Sequence, residues 1–168
     1  MCAHRQILAA RAPVLSSLCA DADADIEISE VSPAVFKEVL RFAYCDELSS
    51  PDVLSTADNT RALLKAADRF GVTRLKQLAE IELATRHLSV ESAADLLLLA
   101  DAHSCPQLKE SATELFVSKA PEVMATAGWV RLGASADLLR ELMPLVAGTK
   151  RPRDDDGEGA ADRVKRMR

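Results

Sequence analysis

Aromatic side chains are scarce in this 168-residue sequence: one Trp, one Tyr and four Phe. Any core must therefore be assembled mainly from Leu, Val and Ala, which are plentiful, and the length suits one domain of ordinary size with a tail. Long apolar runs are lacking as well. No window approaches 18 uninterrupted apolar residues, and the opening Met1-Cys2-Ala3-His4-Arg5 carries no apolar run ending in small residues, so neither a membrane span nor a secretory signal is expected. The four cysteines, Cys2, Cys19, Cys45 and Cys105, lie far apart, with no C-x-x-C and no histidine pair at matching spacing. That excludes the zinc-finger and thioredoxin patterns and predicts reduced, mostly buried thiols. His4 and His87 have no carboxylate or cysteine at ligand spacing, so no metal and no cofactor is expected.

Basic charge is short everywhere except at the end. Residues 150–168 carry seven basic and five acidic side chains, leaving the preceding 149 with fourteen basic and twenty-one acidic ones. A body with a net charge of −7 repels the phosphates that a nucleic-acid surface must neutralise, so nucleic acid is not an expected partner.

What is present is helical periodicity almost throughout. The exception is "DADADIEIS" (21–29), an Asp-Ala turn leading into Ile26-Glu27-Ile28, read as a short strand with both isoleucines on one face. A marked helix start follows. Ser32 is placed to cap, Pro33 suits the first helical position, and Val31 with Phe36 has the spacing of a hydrophobic staple. The stripe Val35, Phe36, Val39, Leu40 and Ala43 then gives that helix an apolar face. Residues 46–60 read as a polar loop with one turn of helix. Beyond it, helices are predicted at about 61–70, 73–86, 90–103, 106–119, 121–127 and 135–147, with Trp129 anchoring the last of them.

The stretch "DAHSCP" (101–106) gathers the residue types of hydrolytic sites. Its context argues for architecture instead. Set "LLKAADRFGVTRLKQLAE" (63–80) above "LLLLADAHSCPQLKESAT" (96–113), an offset of 33, and Leu63 meets Leu96, Ala67-Asp68 meets Ala100-Asp101, and Leu75-Lys76 meets Leu108-Lys109. Each copy is a helix ending in Ala-Asp, a tight corner and a second helix, a repeated helical hairpin. Asp101, His103, Ser104 and Cys105 therefore occupy a corner whose counterparts, Asp68, Phe70, Gly71 and Val72, include no nucleophile or base. A non-catalytic protein is the expectation.

Taken together, "AHRQILAARAPVLSSL", "IEISEVSPAVFKEVLRFAYCDEL", "LLKAADRFGVTRLKQLAE", "LSVESAADLLLLADAHSCPQLKESA" and "VMATAGW" resemble the BTB/POZ proteins, and within them the speckle-type POZ group. The resemblance covers nearly the whole chain. It implies a fold that is mostly α, and α+β by family. Residues 1–87 are expected to form an incomplete BTB/POZ core with a vestigial strand, residues 88–148 BACK-like helical hairpins, and residues 149–168 a disordered tail. The group's usual order is a substrate-binding MATH domain, a BTB domain and a helical region that contacts a cullin. No counterpart of the MATH domain, the family's first helix or its first strands is found here, and the chain is accordingly expected to be an amino-terminally truncated form.

The function implied is that of a substrate adaptor of a cullin-RING ubiquitin ligase, acting by scaffold binding and oligomerisation. The alternative is a helical interaction protein without ligase contact that pairs with full-length relatives. The expected partners are a cullin scaffold, self or related BTB proteins, and a nuclear import receptor. Tyr44, Asp46, Glu47, Val90 and Ala94 fall where family members meet the cullin. Cys19 through Asp25, by contrast, lacks the hydrophobic-x-Glu element that cullins grip. In "SADLLRELMPLVAG", Leu138, Leu139, Leu142 and Leu145 lie at helical spacing where relatives make a second dimer contact, with Pro144 expected to bend or end that helix.

The tail "KRPRDDDGEGAADRVKRMR" has the pattern of a bipartite nuclear localisation signal, Lys150, Arg151 and Arg153 in one cluster and Arg163, Lys165, Arg166 and Arg168 in the other, around an acidic spacer. The chain is therefore expected in the nucleus, with the cytoplasm as a second compartment. Replacing Lys150, Arg151, Lys165 and Arg166 with Ala should move a fluorescent fusion into the cytoplasm. An unchanged nuclear signal would refute the assignment.

Overall fold

Proline and short polar caps set most of the helix boundaries. In the computed structural model, which describes residues 4–18 and 28–149, the amino-terminal segment forms α1 (Arg5–Arg11) and α2 (Pro13–Leu18). They break at Ala12, whose backbone at φ −144° and ψ 68° has left the helical region, as a following proline favours. Helix α3 (Pro33–Cys45) starts at Ser32, whose hydroxyl accepts from the Val35 amide at 3.3 Å, with Pro33 in the first turn. Val31 and Phe36 both pack against the first core cluster. A turn of 3-10 helix (Pro51–Leu54) fulfils the expectation for the loop.

Helix α4 (Ala57–Phe70) begins four residues before the boundary read from periodicity, because Thr56 caps it through the Asn59 amide and the exposed Asp58 and Asn59 of its first turn give no apolar signal. Helices α5 (Thr73–Arg86), α6 (Val90–Ala102) and α7 (Pro106–Ser118) match the predicted spans to within a residue. The single short helix expected over 121–127 is two, α8 (Ala120–Met124) and α9 (Ala127–Leu132). Helix α10 (Ala136–Thr149) runs through Pro144 rather than stopping there. The carbonyl that Pro144 leaves without a donor belongs to Arg140, and both residues are exposed, so water can satisfy it.

All regular structure among the described residues is helical, as the mostly α expectation holds. The strand read over 26–28 lies outside the described residues except for Ile28, which is not in a strand and instead packs against the first core cluster.

Three clusters of buried side chains run along the chain. Leu8, Leu15, Val39, Phe42, Leu63 and Phe70 lead the first, joining α1 to α4. Leu64, Leu83, Leu96 and Leu108 make the second, between the two hairpins. Leu97, Phe116, Val123, Leu132 and Leu138 make the third, where the Phe116 and Trp129 rings stack at 5.8 Å between centroids. Trp129 thus anchors the carboxy-terminal helices, as expected.

The internal repeat is exact at its corners. Helix α4 ends with the Val72 amide donating to the Ala67 carbonyl at 2.8 Å and the Gly71 amide to Asp68 at 3.2 Å. Helix α6 ends with the Cys105 amide donating to Ala100 at 2.8 Å and the Ser104 amide to Asp101 at 3.3 Å. Both are Schellman motifs with the residue past the helix in the left-handed region, Gly71 at φ 73° and Ser104 at φ 50°. Across each corner the aspartate meets the lysine of the next helix, Lys76 to Asp68 at 2.7 Å and Lys109 to Asp101 at 2.9 Å. Glu80, buried in α5, accepts from the Gln107 and Leu108 amides at 2.7 and 3.1 Å, so one hairpin caps the first turn of the other.

The two corners respond to mutation with opposite sign. A methyl group on Gly71 would be held at positive φ and sit 3.1 Å from Val14 Cγ2, and Gly71→Ala should lower the melting temperature by about 3–6 °C. Ser104 already bears that strain. Ser104→Gly should raise the melting temperature by about 1–3 °C, the relief being partly offset by backbone entropy. Thermal melts followed by circular dichroism decide both.

Candidate interaction site

The carboxy-terminal end of α3 brings together the first group of sequence-predicted site residues. Asp46 takes a left-handed conformation there, and its amide donates to the Phe42 carbonyl at 2.8 Å. Its carboxylate is held by Arg11 at 3.2 Å and by Arg74, so three elements meet at one side chain. Around this knot lies a cleft of about 260 Å³ bounded by the α1–α2 break, the end of α3 and the start of α5. Tyr44 is half-buried beside it. Its hydroxyl is bonded by the His4 amide and lies 3.3 Å from His4 Nδ1. Glu47 is exposed. Tyr44 and Glu47 thus offer a ring edge and a free carboxylate, while Asp46 is committed to holding the surface together.

Two of the expected cullin-contact residues sit elsewhere. Val90 is half-buried in the first turn of α6 against the third cluster. Ala94 is completely buried, and the expectation that it meets a partner is corrected: helix α9 crosses it at Gly128, where an added β-carbon would lie 3.0 Å from the Ala94 methyl. A glycine permits that approach without displacing its neighbours, and the paired Arg131 and Asp95 side chains, at 2.8 and 2.6 Å, then hold it.

The leucine stripe of α10 divides in the same way. Leu138 and Leu142 are 1% and 2% exposed in the third cluster, which corrects their reading as dimer contacts, because the helix spends that face on its own chain. Leu139 is half-buried, and Leu145 is 49% exposed. The ion pair of Lys109 with Glu141 at 2.8 Å fixes the helix against the second hairpin. The nuclear-signal residues Lys150, Arg151, Arg153, Arg163, Lys165, Arg166 and Arg168 lie outside the described residues.

At the 101–106 corner the side chains of Asp101, His103 and Cys105 each hold structure, to Lys109, Asp68 and the His103 carbonyl. His103 Nδ1 is 2.8 Å from Asp68 Oδ2, joining the two hairpin corners. Burial pushes the Asp68 carboxyl up, but hydrogen bonds from Lys76 and His103 and their charges outweigh it, leaving the group below its ordinary value. Cys105 is buried, and desolvation with the nearby Glu80 charge raises its thiol to about 11, opposite to the shift a nucleophilic thiolate requires. His87 Nε2 donates to the Leu54 carbonyl at 2.9 Å and ties α5 to the 3-10 turn. Among the described residues no group of three or more His, Cys, Asp or Glu is placed to hold a metal ion, and no helix is long and apolar enough to cross a membrane.

Sequence reading missed the Arg11–Asp46–Arg74 knot, whose members are separated by 35 and 28 positions, and no periodic signal links them. Residues 1–87, which contain this whole surface, match the family model of the BTB/POZ domain.

The thiol assignments give a direct test. In native protein near neutral pH, iodoacetamide should alkylate exposed Cys45, while Cys105 should react only after denaturation. Peptide mass mapping reads both positions, and labelling of native Cys105 would contradict its burial.

Proposed function

The chain belongs to the BTB/POZ family, a protein-protein interaction and oligomerisation module, and from that premise we propose that it works as an adaptor resembling the speckle-type POZ group, joining a cullin-RING ubiquitin ligase. The observation that carries this reading is the end of α3, where Tyr44 and Glu47 stand accessible on a surface braced by Arg11, Asp46 and Arg74. Helices α6 to α10, over residues 88–148, would serve as the BACK-like extension of that surface. The protein would act without catalysis, since Asp101, His103 and Cys105 are engaged in holding corners. The basic clusters of residues 150–168 would bring it to the nucleus through an import receptor.

A second reading is favoured by the burial of Ala94 and by residues 19–25, which lack the hydrophobic-x-Glu element: an interaction protein that pairs with related BTB chains and does not touch a cullin. A pull-down with a cullin amino-terminal domain separates the two. Under the adaptor reading the wild-type chain is retained, and Tyr44→Ala and Glu47→Lys each weaken capture by about tenfold, or about 1.4 kcal/mol. No capture of the wild type selects the second reading. Either way self-association through α10 now rests on Leu139 and its exposed neighbour Met143. Leu139→Asp should yield a folded monomer by circular dichroism and sedimentation. A wild-type chain that is monomeric at tens of micromolar would exclude that contact.

A further inference from the structure

Helix α4 has a second, outward stripe that the packing of the hairpins does not use. Its buried face is Thr60, Leu63, Leu64, Ala66, Ala67 and Phe70. Ala62, Lys65 and Arg69, at helical spacing on the other side, line with the edge of the buried Ala66 a groove of about 460 Å³. Val31 and Val35, from the entry to α3, complete an apolar floor, and His103, from the far hairpin, closes one end. The groove is therefore assembled from three separated segments. Its His103 wall is braced by Asp68.

We propose that this groove docks a short acidic peptide segment of a partner protein, with an aliphatic side chain on the floor and a carboxylate on Lys65 and Arg69. Lys65 is exposed and makes no ion pair among the described residues. Arg69 engages one terminal nitrogen with the Ser29 carbonyl at 2.7 Å and Glu30 at 3.4 Å, which leaves its other N–H groups for a ligand. Glu30 is the one acidic residue of the rim, and its side chain is 84% exposed, free to turn into water when a better-placed carboxylate arrives.

Charge selects the occupant. Residues 1–149 carry seven more acidic than basic side chains, so a cationic rim in this setting attracts acidic chains that the rest of the surface repels. A purely apolar ligand would cover Lys65 and Arg69 without pairing them, and a basic one would meet like charge. The volume lies in the range of ligand sites and admits two or three side chains, which suits an extended peptide and not a folded surface.

This site is independent of cullin contact, because Val35 lies at the amino-terminal end of α3 and Tyr44 at its carboxy-terminal end. The experiment is to pan a phage library of random octapeptides against the immobilised full chain. Sequences with Asp or Glu within three positions of Leu, Ile or Val should enrich. A fluorescein-labelled synthetic copy of the leading sequence should bind with a Kd of about 10–100 µM by fluorescence polarisation. Lys65→Glu and the groove-filling Ala62→Trp should each weaken it at least about tenfold, with circular dichroism unchanged, and Tyr44→Ala should leave it as it was. A copy with Lys in place of its carboxylates should recover binding to the Lys65→Glu chain. Absence of any enriched sequence, a basic or aromatic consensus, or wild-type affinity in Lys65→Glu would overturn the proposal.

Discussion

The structure depends on the helix corner that reverses the chain after Ala67 and again after Ala100. In each, two backbone bonds close a Schellman motif, one residue takes positive φ, and the next is buried as the hydrophobic contact of the motif: Val72 in the first, Cys105 in the second. The reversal sets each following helix antiparallel against its predecessor, so that Leu63, Leu64 and Leu75 in one copy, and Leu96, Leu97 and Leu108 in the other, are all driven inside. The Asp–Lys pair across each corner adds a local electrostatic tie. Being partly exposed, it fixes geometry more than it adds stability.

Repetition also explains how the two halves join. Placing the corners side by side brings His103 of the second against Asp68 of the first, and it turns Glu80 under the first turn of α7, where two amides have no intrahelical partner. A buried carboxylate is tolerated there because it accepts two backbone N–H groups at the positive end of a helix. The BTB/POZ match ends at residue 87, yet the hydrogen bonds and the second core cluster cross that point, so the later helices pack as a continuation of the domain.

What remains for partners is the surface that this packing leaves over. Aliphatic side chains carry the core almost alone, with Phe36, Phe70, Phe116 and Trp129 supplying the aromatic contacts. Tyr44 and Glu47 at one end of α3, the groove beneath Val31 and Val35 at the other, and the outer face of α10 are distinct places on one helical body. Each is braced by residues that are themselves committed: Asp46, Asp68 and Lys109.

Local chemistry was legible in the sequence. Ser32-Pro33 began α3 where it was expected, Gly71 and Pro106 marked the corners, and the 33-residue offset identified the hairpins whose geometry proved superimposable in its hydrogen bonds. These are properties of sequences a few residues long, governed by sterics and by side chains that satisfy nearby amides. Which face of a helix meets another chain could not be read the same way. Periodicity showed that α6 and α10 carry apolar stripes, but only the crossing of α9 over Ala94 at Gly128, and the packing of Leu138 and Leu142 on Phe116 and its neighbours, decided that those stripes are spent internally. The Arg11–Asp46–Arg74 knot and the groove between Val31, Lys65 and His103 likewise join positions tens of residues apart. The sequence by itself determined the helices, their corners and the acidic character of the body, because those follow from local and summed properties. The tertiary structure alone decided which side chains are left to bind, because burial depends on what lands on a residue from elsewhere in the chain.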